Sequence, residues 1–427
     1  LEPLLPADVV DVVRSYLEYV SANQSRQLLW FSLIFSIWFP MRASGCLMHS
    51  LRKAFGRSAP ESLWRSQLRI LLFTVWLIVV IAVTLVLVVV GRSVLEFVGR
   101  FITITDSFIT AWSSLRFVLL AVVIIYVGYV MLSYDRIPDN QELEIRNPQE
   151  TDLAVRLGEE YAIVTQNVGF GAYTDDFTFF MDGGVESWAK SPESVIECIN
   201  AAAEEVSSLE PDFILFQEVD FDSTRSYHID EQEILRAAFP QMAEVDAVNY
   251  HSAFLMYPLT QPHGSSNSSM VTFSSVGITG ALRRSLPIST GFSKFLDLDR
   301  CYTISRVPTE NGKELVLFNV HLSAYGGSDE IRAAQMDMLF GDMLAEYQKG
   351  NYVVCGGDFN HDFTGNSTQV LNGGEMTDFG WAQPFPAEML PEGLTRCDNY
   401  TDGKVEPTCR NCDIPYEGMM LTTVVAE

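Results

Sequence analysis

The chain has 427 residues, 48% of them hydrophobic, with 28 Lys+Arg against 54 Asp+Glu and a formal net charge of −26. That length holds one full domain with a second region beside it. Residues 1–133 carry 11 Lys+Arg and 7 Asp+Glu, which leaves 17 basic and 47 acidic residues, a net of −30, for the rest. So acidic a domain disfavours duplex nucleic acid, whose binding needs a basic face to displace phosphate counterions.

The first 133 residues read as a membrane region. Residues 70–90 (ILLFTVWLIVVIAVTLVLVVV) are uncharged and long enough to cross a bilayer as a helix, and 117–133 (FVLLAVVIIYVGYVMLS) form a second, shorter span. Residues 28–40 stop at Pro40 and make a partial or re-entrant span at most. Arg42, Arg52, Lys53, Arg57, Arg65 and Arg69 lie between 28–40 and 70–90, which places that loop inside the cell. Two full crossings return the rest of the chain to that side; a single anchor at 117–133 puts it outside. PLLPADVVDVVRSYLEYVS, the tryptophan-containing stretch to Met48 and LRKAFGRSAPESLWRSQLRILLF, within residues 3–98, resemble part of the YihY/BrkB family of integral membrane proteins. Only part of that family's helical bundle is present, so the region reads as an anchor at most, in a bacterial cell membrane, rather than as a transporter.

Residues 134–158 are acidic, Pro- and Asn-containing and without periodicity, and read as a linker. From 159 to 427 short apolar strands alternate with helical stretches predicted at 191–207, 230–239 and 328–347. The mixed order fits an α/β (α+β) sandwich of two sheets flanked by helices. Of seven cysteines, Cys409 and Cys412 form a CxxC with Cys397 before it. A structural zinc needs a fourth ligand that no later histidine supplies, so these are ordinary thiols or one local disulfide. Cys355, inside NYVVC, reads as core.

Four motifs end apolar runs. YAIVT leads into TQNVGFG (165–171), DFILF into FQEVD (216–220), LVLF into NVHLSAY (319–325) and NYVVC into GGDFNHD (356–362). Each sits where a buried strand reaches a loop, and polar groups at several strand exits can converge on one rim. In this order the motifs resemble the endonuclease/exonuclease/phosphatase (DNase I-like) superfamily over about residues 116–417. TRSYHIDE (224–231) and PTCRNCDIPY (407–416) look like a membrane-anchored bacterial branch of it.

The resemblance implies a four-layer sandwich and phosphoester hydrolysis assisted by Mg²⁺ or Mn²⁺. It implies Glu218 and Asn167 as the metal pair, with Asp358 orienting or deprotonating the attacking water. Asn360 and His321 would then donate to the phosphate or leaving group, and Tyr325 would add a hydroxyl. Arg225, Tyr227, His228 and His361 are candidate substrate contacts, with plain loop roles equally open. The expected substrate is a small phosphoester or a lipid headgroup rather than nucleic acid, and no protein partner is inferred. The superfamily pattern closes with further strands and a Ser-Asp-His, and no histidine follows His361 here. The expectation is therefore a C-terminally truncated sandwich with an apolar sheet edge and impaired turnover, or a non-catalytic binding module.

Overall fold

A computed structural model of the chain describes residues 106–147, 154–182, 184–290, 294, 299–324, 329–362 and 383–397, with strand segments at 400–401, 404–405 and 423–424. The expected spans 28–40 and 70–90, Tyr325, Cys409 and Cys412 lie outside these residues. The chain divides into two units, Leu1–Ala121 and Val122–Glu427, and the sheets belong to the second.

Helix α1 (Asp106–Leu132) covers the stretch expected at 117–133 up to Leu132 and begins earlier. Its segment Thr110–Leu132 is 23 residues, long and apolar enough to cross a membrane, and its most apolar window is wholly unburied. Strands β1 (Gln141–Glu142), β2 (Ile145–Arg146) and β3 (Tyr161–Asn167) follow, then α2 (Pro192–Ser208), β4 (Phe213–Asp220) and α3 (Glu231–Ala238). After these come β5 (Ala243–Leu255), β6 (Gly264–Ser274), β7 (Gly280–Ser285), β8 (Cys301–Pro308), β9 (Glu314–His321), α4 (Asp329–Gln348) and β10 (Tyr352–Asp358). The three helices predicted for this half appear within one residue of their expected ends. The Ser191 side chain caps α2 by accepting from Ser194 N at 3.1 Å, and Asp230 caps α3 by accepting from Glu233 N at 3.0 Å.

Two mixed sheets result. One runs β1-β7-β8-β9-β10, and the other runs β3-β4-β6-β5-β2 with Thr423–Val424 outside β3. The β3/β4 and β9/β10 pairs are parallel and the remaining pairs antiparallel. Period-two alternation splits each strand between layers. Ile214 and Phe216 of β4 pack outward with Val195 and Ile199 of α2. Val316, Phe318 and Val320 of β9 pack outward with Met336 and Leu339 of α4. Phe213, Leu315 and Leu317 meet between the sheets. The stack is helix, sheet, sheet, helix.

Two expectations are corrected. The stretch read as a linker clips both sheets: Gln141 and Glu142 pair with β7, Ile145 and Arg146 pair with β5, and Asn147 Nδ2 donates to Ile278 O at 2.9 Å. Two-residue strands leave no hydrophobic period to read. The edge of β3 is also partly covered, since Val424 and Thr423 pair with Tyr161 and Ala162.

Candidate functional site

The site forms where β3 and β4 of one sheet and β9 and β10 of the other end at the same rim. Asn167 pairs in parallel register with Gln217, and Asp358 with His321, so each sheet delivers one adjacent pair. Asn319 and His321 share the inward face of β9 with Leu315 and Leu317. Behind the rim the Gln217 amide donates to Asn319 Oδ1 at 2.8 Å, and Asn319 Nδ2 donates to Phe216 O and Val271 O, both at 3.2 Å. This buried amide seam joins the sheets directly below the site.

Glu218 reaches the rim through a bulge. Register along β4 shifts between Phe216 and Val219, and Glu218 has φ 57°. The extra residue returns Val219 to the outward face with Phe216 and frees Glu218 from the alternation. The glycines of GGD serve close approach. A Cβ on Gly357 (φ +131°) would lie 2.2 Å from Val320 O, and one on Gly356 would lie 2.7 Å from Leu215 Cδ1.

The side chains converge closely. Asn167 Nδ2 donates to Asp358 Oδ2 at 2.8 Å and to Glu218 Oε1 at 3.3 Å, and its Oδ1 accepts from Gly169 N at 2.9 Å. So nitrogen rather than oxygen faces the carboxylates, because two negative groups draw the N–H. His321 Nε2 is 3.7 Å from both Glu218 Oε1 and Asp358 Oδ2. Asn249 of β5 donates Nδ2 to His321 Nδ1 at 3.0 Å, which fixes the remaining proton of a neutral ring on Nε2. Burial holds His321 well below its ordinary pKa, and the charges of Arg300 and Arg225 push the same way. Burial raises the Glu218 carboxyl, Arg225 and Arg300 oppose that shift, and Asp358 adds to it.

Asn360 comes to the rim by a turn. It lies beyond the end of β10 with φ 50°, its N–H donates to Asp358 Oδ1 at 2.8 Å, and its Nδ2 donates to Leu322 O at 2.8 Å. The other predicted residues make their hydrogen bonds outside this cluster. Arg225 is buried in a two-point pair with Asp220 and stacks over Phe170, its centre 4.0 Å from the ring. Tyr227 Oη donates to Ala189 O and Lys190 O at 3.1 Å. His228 pairs with Asp222 at 2.6 Å on the exposed surface, and His361 Nδ1 meets Phe359 O.

Sequence reasoning missed Asn249, Arg300, Asp220 and the Gln217–Asn319 seam. A signal existed for Asn249: it is a polar residue inside the strand run AVNYH.

The donor set suits a hard divalent cation, which takes one or two carboxylates and keeps water for the rest of its shell. Two carboxylate oxygens share one amide nitrogen here, and burial with mutual repulsion raises Glu218; a cation would relieve both. Among the described residues no group of three or more His, Cys, Asp and Glu is placed to hold a metal ion by itself.

Residues 164–390 match the profile of the Endonuclease/Exonuclease/phosphatase family, and residues 1–147 match that of virulence factor BrkB. Similar solved structures include an endonuclease/exonuclease/phosphatase from Beutenbergia cavernae DSM 12333, at 17% identity and TM-score 0.30, covering 43% of this chain and 44% of that one. ANGEL2, a 2',3'-cyclic phosphatase, shows 12% identity and TM-score 0.33, covering 60% of this chain and 69% of that one. The human Nocturnin catalytic domain shows 16% identity and TM-score 0.31, covering 52% and 69%. The chain thus spans less than half the length of the first of these. No curated protein sequence matches it.

Proposed function

This chain belongs to the endonuclease/exonuclease/phosphatase family, and on that premise we propose that it is a membrane-anchored, metal-dependent phosphoester hydrolase whose turnover is slow in this 427-residue polypeptide. The observation that supports it best is the meeting of Glu218, Asp358 and the Nε2–H of a neutral His321 at one rim.

Glu218 would hold Mg²⁺ or Mn²⁺ through its carboxylate, and Asn167 would join it with its amide turned over, so that Oδ1 leaves Gly169 N for the ion. Such an ion, when bound, neutralises phosphate charge and acidifies water. Asp358 receives the proton of the attacking water, and its Oδ1 is steadied by the Asn360 N–H. His321 donates from Nε2 to a phosphate or leaving-group oxygen, a donor whose direction Asn249 sets. Asn360 adds a donor to the phosphate. The net of −30 beyond residue 133 favours a small phosphoester or lipid headgroup over nucleic acid. Helix α1 and the BrkB-like region support anchoring in a membrane.

Slow turnover follows from the supply of imidazoles. Among the described residues His321 alone meets the carboxylate pair, and residues 362–427 contain no histidine. The same observation favours a second reading, a non-catalytic module that binds a phosphoester at the membrane. The test is hydrolysis of a mixed phosphoester panel by the full chain in detergent, with Mg²⁺ and with chelator, beside Glu218→Ala. Turnover lost on chelation and in the variant supports the hydrolase. A folded chain that binds a phosphoester without turning any over supports the binding module.

A further inference from the structure

The β5–β6 hairpin runs past the rim and meets α1. Val219 and Asp220 pair with Ser269 and Ser268, and Ser268 pairs onward with Tyr250, so Tyr250 stands level with the rim. From there β5 and β6 continue together to the Leu255–Gly264 pair. At about 3.3 Å per residue the hairpin tip stands roughly 15–20 Å beyond the site, on the side to which the site opens.

Along this stretch β5 is a sheet edge, since β2 pairs only with Glu244 and Val245. Tyrosines of α1 satisfy its backbone instead. Phe254 N donates to Tyr129 Oη at 3.1 Å, Met256 N donates to Tyr126 Oη at 2.9 Å, and Tyr126 Oη donates to Phe254 O at 3.3 Å. At about 1.5 Å rise per residue these tyrosines lie roughly 5 and 9 Å along the axis from Leu132, the end of the apolar segment. That is the depth at which tyrosines gather in a bilayer interface. A hairpin bonded to them lies at the same depth.

The tip suits that place. Tyr257 is 71% and Leu259 82% exposed, with Phe254 and Met256 beside them also exposed. Residues 247–282 contain no Asp, Glu, Lys or Arg, within a part of the chain whose net charge is −30. Part of the turn's backbone is paired within the protein: Gln261 N donates to Pro258 O, His263 N donates to Tyr257 O, and Trp188 Nε1 donates to Pro262 O at 2.7 Å. A backbone satisfied within the protein enters a low-dielectric layer without the penalty of unpaired groups.

We propose that the hairpin tip, residues 253–262, is a lipid-contact surface. Phe254, Met256, Tyr257 and Leu259 enter the interface of the bilayer that α1 crosses and turn the rim toward lipid headgroups. The proposal rests on the membrane anchoring proposed above. Apolar contact without charge makes the expected lipid zwitterionic and the contact insensitive to salt.

The test places the photoreactive residue p-benzoylphenylalanine, one position at a time, in the full chain in phosphatidylcholine nanodiscs, with lipid adducts read by mass spectrometry. The positions are Leu259, Ile125 of α1, and Leu157, which bonds Glu310 at the opposite end of the sheets. Lipid adducts at 259 and 125 but not at 157, unchanged from low to high salt, support the proposal. An adduct at 125 without one at 259 overturns the hairpin contact and leaves the anchor standing. No adduct at 125 overturns the anchor, and the hairpin contact with it. Equal adducts at 157 and 259, or an adduct at 259 that salt abolishes, also overturn it.

Discussion

Asp220→Asn removes the carboxylate that accepts Arg225 Nε at 2.9 Å and Nη2 at 2.8 Å, within a pair whose residues are 0% and 7% exposed. Stripping one partner from a buried ion pair costs about 3–5 kcal/mol, because the other charge is left uncompensated. Glu231 decides where in that range each variant falls. It is buried, accepts from Asp220 N at 2.9 Å, and is raised well above its ordinary pKa first by burial and then by the charge of Asp220. Asp220→Asn removes that charge, so Glu231 can ionise and partly answer Arg225; the cost falls to about 3 kcal/mol. Arg225→Met brings no such relief, since it leaves Asp220 beside Glu231, and costs about 5 kcal/mol. The double variant costs less than the two singles summed. Urea unfolding followed by circular dichroism reads the change. In heat the Asp220→Asn loss corresponds to a midpoint about 6–12 °C lower. If Asp220→Asn costs as much as Arg225→Met, or the singles add, the assignment of compensation to Glu231 is wrong.

Asn249→Asp replaces a donor to His321 Nδ1 by an acceptor, which moves the ring proton to Nδ1 and takes the N–H away from the rim. Any turnover of the full chain should fall about 10²–10³-fold in kcat; an unchanged rate would refute the tautomer assignment. His263 is 5% exposed, and burial is the largest cause lowering its pKa to about 4 from 6.5. Below pH 6.5 the unfolded chain binds a proton that the folded chain refuses, so stability falls as pH drops and the loss is complete near pH 4. The full loss is roughly 3 kcal/mol. Urea midpoints between pH 4 and 7 should slope less in His263→Gln than in the unchanged chain, and equal slopes would contradict this.

The helices and the strand exits were legible because their signals are local. A capping Ser191 or Asp230 before an apolar period marks a helix start, and NYVVC ahead of GGD marks a buried strand that stops. Glu218 shows what locality misses: alternation gives the bulge no sign, and only pairing with β6 reveals the extra residue. Asn249 lies 72 residues from the ring it orients, a distance over which no spacing rule operates. β1 and β2 escaped because each borrows its stability from the edge it clips. Asn360 lies past the strand end at Asp358, where a left-handed backbone that no alternation foretells brings it round.

The amide seam beneath the rim has a consequence for any cut version of this protein. Asn167 and Glu218 come from the stretch before Ser274, and His321 and Asp358 from the stretch after Gly280, so neither stretch alone encodes the site. Separated between β6 and β7, the two pieces would each be inert. Chemistry would return only when Gln217 of one finds Asn319 of the other. The seam therefore makes the site a reporter of reassembly.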